Sequence, residues 1–244
     1  RNWIAREEAA KITLNTLNFF LNSVQSTDTN ATGYKGFYYH FLRMNSGTRE
    51  WNCELSSIDT GLLMMGIIFA RNYYSLNNDI ENEIRSIAEK LINRLDWEFF
   101  RMPPDGEYAN TISMGWTPEK GMHFMGWSGY NEALFLYILA AGSGMKNVES
   151  SYNSWLNSYD WRTPYPDLSH VAFPPLFGHQ FAHTFIDFRG LVDKYMKEKR
   201  IDYFENSRRA TLVQRLYAID NPYKWGGYDS LCWGISASDG PTDK

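Results

Sequence analysis

The chain is 244 residues long, enough for one large domain with a substantial core. Its net charge is -4, and Lys and Arg are scattered rather than banked in runs, which excludes a nucleic-acid footprint. Aromatic residues make up 16% of it, including 9 Trp and 16 Tyr, and many fall in Gly- and Pro-containing stretches that read as loops, where a large aromatic serves a binding surface as readily as a core.

Residues 3 to 25 form the first predicted helix, with Ala10, Leu14, Leu17, Leu21 and Val24 on one face. A polar connection carrying the aromatic run GFYYHF occupies 26 to 55. Residues 57 to 76 are apolar nearly all round, as expected of a buried helix. Their longest apolar run, IDTGLLMMGIIFA, is too short to span a membrane. Asp79 reads as the N-cap of a helix to about Phe100, with Ile80, Ile84, Ile87, Leu91 and Leu95 in one stripe. A loop rich in Pro, Gly and Trp, Trp116 among them, follows from 102 to 128. The next helix, about 129 to 142, is again apolar all round, and one at about 149 to 159 is more polar. A Pro-rich loop from 162 to 178, helices at about 180 to 198 and 202 to 219, and a Gly/Trp-rich tail with Trp233 complete the chain.

Strand signals are few and the class is all-α. Helices buried on all sides alternate with amphipathic ones, as in an α/α toroid whose inner ring is wrapped by an outer one. Long connections then gather at one end and line a pocket. Seven helices is an odd number for paired rings, so residues 1 to 244 are expected to be a single domain that is part of a larger toroid. The chain starts at Arg1 without a signal-peptide pattern, so any export signal is expected to have been removed. Cys53 and Cys232 neither make nor exclude a disulfide, and the compartment is not decided by them.

Four segments carry candidate chemistry. In GWSGYNEALFLYILA a polar, aromatic loop delivers Glu132 to the start of an apolar helix, preceded by Trp127, Tyr130 and Asn131. Trp and Tyr are side chains that commonly stack on sugar faces. With Ser128 or Gly129 as cap, Glu132 falls in the first helical turn, where the dipole lowers a carboxyl pKa while burial raises it. In NCELSSIDTGLL, Ser56 and Asp59 fit a capping box, whereas Glu54, beside Trp51 and Asn52, has no such structural role. In FGHQFAHTFIDFRG, His179, His183 and Asp187 fall at i, i+4 and i+8 on one predicted helical face, with Arg189 close by. Two His and one Asp are metal-type ligands, yet no fourth-ligand cluster accompanies them and hydrogen-bonding pairs explain the spacing too. No metal or cofactor is expected. In YFENSRRATLVQR, Asn206, Arg208 and Arg209 stand at another helix start, with Glu205 and Asp202 as pairing partners. Phosphate loops, G-x-S-x-G elbows and paired Cys/His nucleophile motifs are missing.

These segments, with GFYYHF, PPLFGHQFAHTFIDFRG and WGISASDGP, resemble in order the glucoamylase-like domain family, from about residue 5 to 241. The family includes β-1,2-glucan hydrolases of glycoside hydrolase family 144 and the related domain of cyclic β-1,2-glucan synthases. The resemblance implies an (α/α)6 toroid, of which this chain would hold the N-terminal and central part. It also implies hydrolysis of β-1,2-glucan or its oligosaccharides with inversion, in the periplasm or outside the cell. Glu132 matches the position to carry over as general acid, with Asp59 or Glu54 as partner. Trp116, Trp127, Tyr130, Asn131, His179, His183, Asp187, Arg189, Arg208, Trp233 and Asp239 are the expected substrate-binding set. Family members often carry Asp where this chain has Arg43. A non-catalytic glucan-binding protein and a transglycosylase are the rival readings.

Overall fold

In a computed structural model of the chain, residues 3–237 are described. Seven α-helices occur among them, joined by connections that carry strands of two or three residues. They fall into two compact units, Arg1–Trp127 with Leu136–Ser151 and Ser128–Phe135 with Tyr152–Lys244.

The first unit opens with α1 (Arg6–Asn22). Of its predicted face, Ala10 and Leu17 are buried, and Val24 lies past the helix end, exposed. Next come β1 (Gly33–Tyr34), β2 (Phe37–Tyr39) and β3 (Leu55–Ser56), then α2 (Ser57–Tyr73). Ser56 caps α2 as the capping box predicts, its Oγ accepting the Asp59 N–H at 3.1 Å. Burial along α2 is one-sided: Thr60, Gly61, Met64 and Ile67 are buried while Phe69 and Tyr73 are exposed, so the all-round burial expected from its composition is not met. In α3 (Asp79–Asn93) the N-cap is Asn78 rather than Asp79. The Asn78 side chain accepts the Glu81 N–H at 2.9 Å, and Asp79 becomes the first helical residue, where its charge still suits the positive end of the helix. The stripe Ile84, Ile87 and Leu91 is buried, contributing about 1.5–3 kcal/mol per side chain, and α1 and α2 pack on α3. Helix α3 does not run on to Phe100. Asp96 instead caps a separate 3-10 turn, Trp97–Phe100.

The loop from 102 to 128 holds β4 (Ile112–Ser113), β5 (Gly115–Thr117), β6 (Gly121–Met122) and β7 (Gly126–Trp127). Strands β1-β2-β3-β5-β6 form one antiparallel sheet, and β4 pairs with β7. These strands are too short to display a period of two, which is why an all-α reading passed over them. Then come α4 (Leu134–Gly142) and α5 (Val148–Leu156), and one unit boundary falls within each of these two helices.

The second unit contains β8 (Trp161–Arg162) paired with β9 (His170–Val171), a short α6 (Lys194–Lys199) and α7 (Tyr203–Asp220). Asp202 caps α7 through the Glu205 N–H at 2.6 Å. The helix predicted over 180 to 198 is not formed. Two 3-10 turns, Leu176–His179 and Phe181–Thr184, take its place ahead of α6. Local chemistry explains the break: the Phe173 ring leaves no room for a Cβ at Gly178, Gly190 sits at φ +73°, and Asp187 takes the Arg189 N–H. Among the described residues no helix is long and apolar enough to cross a membrane.

Candidate active site

In the first unit, sheet pairing assembles an acid–imidazole–acid cluster. Strand β2 lies antiparallel to β3 with Tyr39 opposite Leu55, and the ladder runs on through the His40 N–H donated to the Glu54 carbonyl at 3.0 Å. This register sets His40 beside Glu54, with Nδ1 at 2.9 Å from Oε1. Asp59, in the first turn of α2, comes within 3.4 Å of His40 Nε2 through Oδ2, which also accepts the Ser56 hydroxyl at 2.6 Å. One imidazole therefore links the two carboxylates that the sequence singled out. His40 itself carries no spacing signal, because it reaches Asp59 only through a two-residue ladder. Gly115 on β5 makes room: a Cβ there would stand 2.7 Å from Glu54 Cγ. Glu54 then lines a pocket of about 280 Å³ with Trp116, Met122, His123 and Phe124.

Beside this cluster the hairpin between β2 and β3 contains two adjacent left-handed residues, Trp51 at φ +54° and Asn52 at φ +81°. A Trp in that region costs about 1–3 kcal/mol and persists only where the surroundings over-determine it. Here the Glu50 N–H bonds the Phe41 carbonyl at 2.9 Å, the Cys53 N–H bonds the Glu50 carbonyl at 3.2 Å, and Arg49 Nε bonds the Cys53 carbonyl at 2.6 Å. Both cysteines are free, and Cys53 Sγ lies 3.3 Å from the Phe41 N–H. Arg43 pairs with Glu50 at 3.4 Å.

In the second unit, Glu132 sits in the turn ahead of α4 rather than in its first helical turn. Asn131 explains the delayed start: its Oδ1 accepts the Ala133 N–H at 2.9 Å, an Asx-type turn that competes with helix. Gly129, at φ +71°, lets the loop bend and donates its N–H to the Trp155 carbonyl at 3.1 Å. Glu132 Oε2 is sealed from solvent and has no hydrogen-bond partner among the described residues. Burial pushes the Glu132 carboxyl above its ordinary range, against a weaker opposing pull from its own backbone N–H. Burial is the larger of these two influences. A carboxyl so placed favours its neutral form, the state a proton donor needs.

Behind this loop stands a belt of aromatic and hydroxyl groups. Tyr130 stacks on His179 at 4.7 Å, and its hydroxyl lies 3.4 Å from Ser207 Oγ, which is 2.9 Å from His183 Nε2. The hydroxyls of Tyr152 and Tyr203 both donate to Asp193 Oδ2 at 2.6 Å, and Tyr159 bonds Tyr203 at 2.9 Å. Burial drives the Tyr130 hydroxyl up to about 12 and holds His179 down at about 3, with His170 adding to the latter. Burial also lowers His183, against the opposing pull of Asp187 and Asp202. His179 and His170 line a cavity of about 580 Å³ with Tyr165, Phe173, Gln214 and Tyr217.

His179, His183 and Asp187 do not share a helical face, because the helix that would align them is absent. His179 is 1% exposed, His183 bonds Ser207, and Asp187 forms an exposed pair with Arg189 at 2.6 Å that holds its carboxyl at about 2. Among the described residues no group of three His, Cys, Asp or Glu is placed to hold a metal. Trp127 is buried, with its indole N–H on Ser57 Oγ at 3.0 Å. Arg208 pairs with Glu205 at 2.7 Å on the surface, and Trp233 is exposed. Asn206, buried at the start of α7, accepts the Val171 N–H at 2.7 Å. Asp239 lies outside the described residues.

The acid-bearing loop and the residues C-terminal to it match a family model. Residues 124–244 match the Glycoamylase family, described as "Putative glucoamylase". The whole chain is similar to a solved structure from Bacteroides uniformis described as a "putative glucoamylase", with a TM-score of 0.79 and 28% identity over 98% of this chain and 58% of that one. It shares its fold with an endo-β-1,2-glucanase from Chitinophaga pinensis, with a TM-score of 0.80 and 22% identity over 99% of this chain and 57% of that one. Among curated proteins it is 24% identical to the exo β-1,2-glucooligosaccharide sophorohydrolase (non-reducing end) of Parabacteroides distasonis, over 98% of this chain. The chain spans 35% of that relative's length.

Proposed function

We propose that this chain belongs to a glycoside hydrolase acting on β-1,2-glucan or its oligosaccharides, with Glu132 as general acid. The observation that carries this reading is the Glu132 carboxyl, with one oxygen sealed and unpartnered, raised by burial as protonation of a glycosidic oxygen demands. The linkage rests on the named activities of the Parabacteroides and Chitinophaga relatives. Asp59 or Glu54, joined through His40, takes the role of base toward water, and the outcome is inversion. Trp116, Tyr130, Asn131, His179, His183, Asp187, Arg189 and Arg208, with Trp127, Trp233 and Asp239, make up the substrate-binding set. The helices belong to one (α/α)6 toroid domain, and the protein works in the periplasm or outside the cell.

The test is product analysis from β-1,2-glucan and from starch, with wild type and Glu132→Gln side by side. Short β-1,2-linked products from wild type alone support the assignment. Equal release by the variant removes Glu132 from the role, and release from starch alone removes the linkage. A non-catalytic glucan binder is the second reading, favoured by Arg43 and its pairing with Glu50 where family members often carry Asp. Binding without any product release would select it.

A further inference from the structure

The hairpin beside the His40 cluster presents an aromatic surface that the acid–imidazole–acid chemistry does not use. Trp51 is 71% exposed. Its ring packs edge-on against Phe41 at 5.2 Å, and Phe41, also exposed, stacks on His40 at 4.1 Å and 16°. An unbroken line of rings therefore leads from the Glu54 and Asp59 carboxylates outward to Trp51. Trp51 is held in a left-handed conformation that suits glycine far better than an indole. The Glu50, Arg49 and Cys53 hydrogen bonds that fix it there make the display rigid. The Trp51 backbone is strained and hydrogen-bonded in place, while its ring, in contact with Phe41, is left largely exposed two ring contacts from the carboxylates.

We propose that Trp51 and Phe41 form a sugar-binding platform, on which the C–H face of one glucopyranosyl unit stacks while its neighbour reaches the His40-linked carboxylates. The chemistry favours this occupant over a protein or lipid. A glucan offers an apolar pyranose face to the indole and, on the adjoining unit, hydroxyls to the carboxylate acceptors, and a flat ring costs little entropy to engage. The inference rests on the saccharide reading of the site but not on catalysis by Glu132.

The test is titration of long β-1,2-glucooligosaccharides, with cello- and maltooligosaccharides in parallel, into full-length wild type, Trp51→Ala, Trp51→Gly and Trp51→Phe, followed by calorimetry. Trp51→Ala weakens saccharide binding about tenfold, and Trp51→Phe restores most of it. Trp51→Gly weakens binding as much as Trp51→Ala without a lower Tm, because glycine relieves the left-handed strain; this separates the platform from a folding role. Affinities equal to wild type in Trp51→Ala and Trp51→Gly, or no saccharide bound by wild type, overturn the platform. Wild type that binds in this way yet releases no product overturns the hydrolase reading and leaves the platform standing.

Discussion

The two acidic regions of this chain solve the same problem, a carboxyl held near apolar surroundings, in opposite ways. Glu54 and Asp59 are half-exposed and partnered: an imidazole sits between them and Asp59 is further tied to the Ser56 hydroxyl. At Glu132 one carboxyl oxygen is both sealed and unpaired among the described residues, and its own backbone N–H is the weaker pull set against burial. Partners stabilise the charged form of an acid, and burial without partners stabilises the neutral form. The contrast is what the proposed division of roles, Glu132 as acid and Glu54 or Asp59 as base, rests on. The family-model match over residues 124–244 covers the Glu132 loop and leaves the His40 cluster to be argued from geometry alone.

The contrast breaks most sharply at Glu132. Glu132→Gln should lower glucan hydrolysis by about 10²–10⁴-fold while the protein stays folded, read from product release and circular dichroism. It should also change stability with a definite sign. The folded-state pKa is raised, so wild type loses stability as pH climbs from the ordinary carboxylate range through the raised value, whereas the amide does not. Thermal melts should show Gln gaining on Glu toward neutral pH and matching it in acid. Parallel pH dependence of the two proteins would mean that the carboxyl is solvated after all. In catalysis, activity should fall on the alkaline side as the donor loses its proton.

The partnered region should respond through geometry. His40→Ala removes the link between Glu54 and Asp59, and the loss of orientation should cost about 10²-fold in kcat/KM with little change in the alkaline limb of the pH profile. A shifted alkaline limb would move the proton donor from Glu132 to the His40 cluster. Gly115→Ala is the steric version. Its Cβ would stand 2.7 Å from Glu54 Cγ and 3.2 Å from the Leu55 carbonyl, so Glu54 must swing away or the strand must shift. Crowding of this kind costs about 1–3 kcal/mol, a Tm drop of roughly 2–12 °C, together with reduced activity. Full activity at unchanged Tm would show that Glu54 moves freely and is not held for chemistry.

How far these regions were legible beforehand depends on the range of the interaction that builds them. The α3 stripe of Ile84, Ile87 and Leu91 and the Ser56/Asp59 cap are local patterns, and both are present. Glu132 was legible as an acid beside an apolar helix, but its position before that helix depends on the Asn131 side chain competing for the Ala133 N–H. His40 was illegible as a partner because pairing between β2 and β3 brings it to Glu54 across the hairpin. The His179–Asp187 spacing matched a helix that Gly178, Gly190 and the Asp187 turn prevent. Periodicity reports faces only where the backbone stays regular.

The smallest effect discriminates a cap from a site. Ser56 and Asn78 are both N-caps of first-unit helices, and each accepts a backbone N–H three residues on, at 3.1 and 2.9 Å. Replacing either by Ala should cost about 1 kcal/mol, a Tm drop of roughly 2–4 °C. Only Ser56 also donates to an acid of the cluster, Asp59 Oδ2 at 2.6 Å. Asn78→Ala should therefore lower Tm and leave hydrolysis intact, whereas Ser56→Ala should lower Tm by a similar amount and also reduce kcat/KM. If the two variants lose stability equally and neither loses activity, Asp59 is an N3 capping residue and no more, and the base role falls to Glu54. If Ser56→Ala alone loses activity, the hydroxyl is part of what orients the Asp59 carboxylate, and the capping box has been turned to catalytic use.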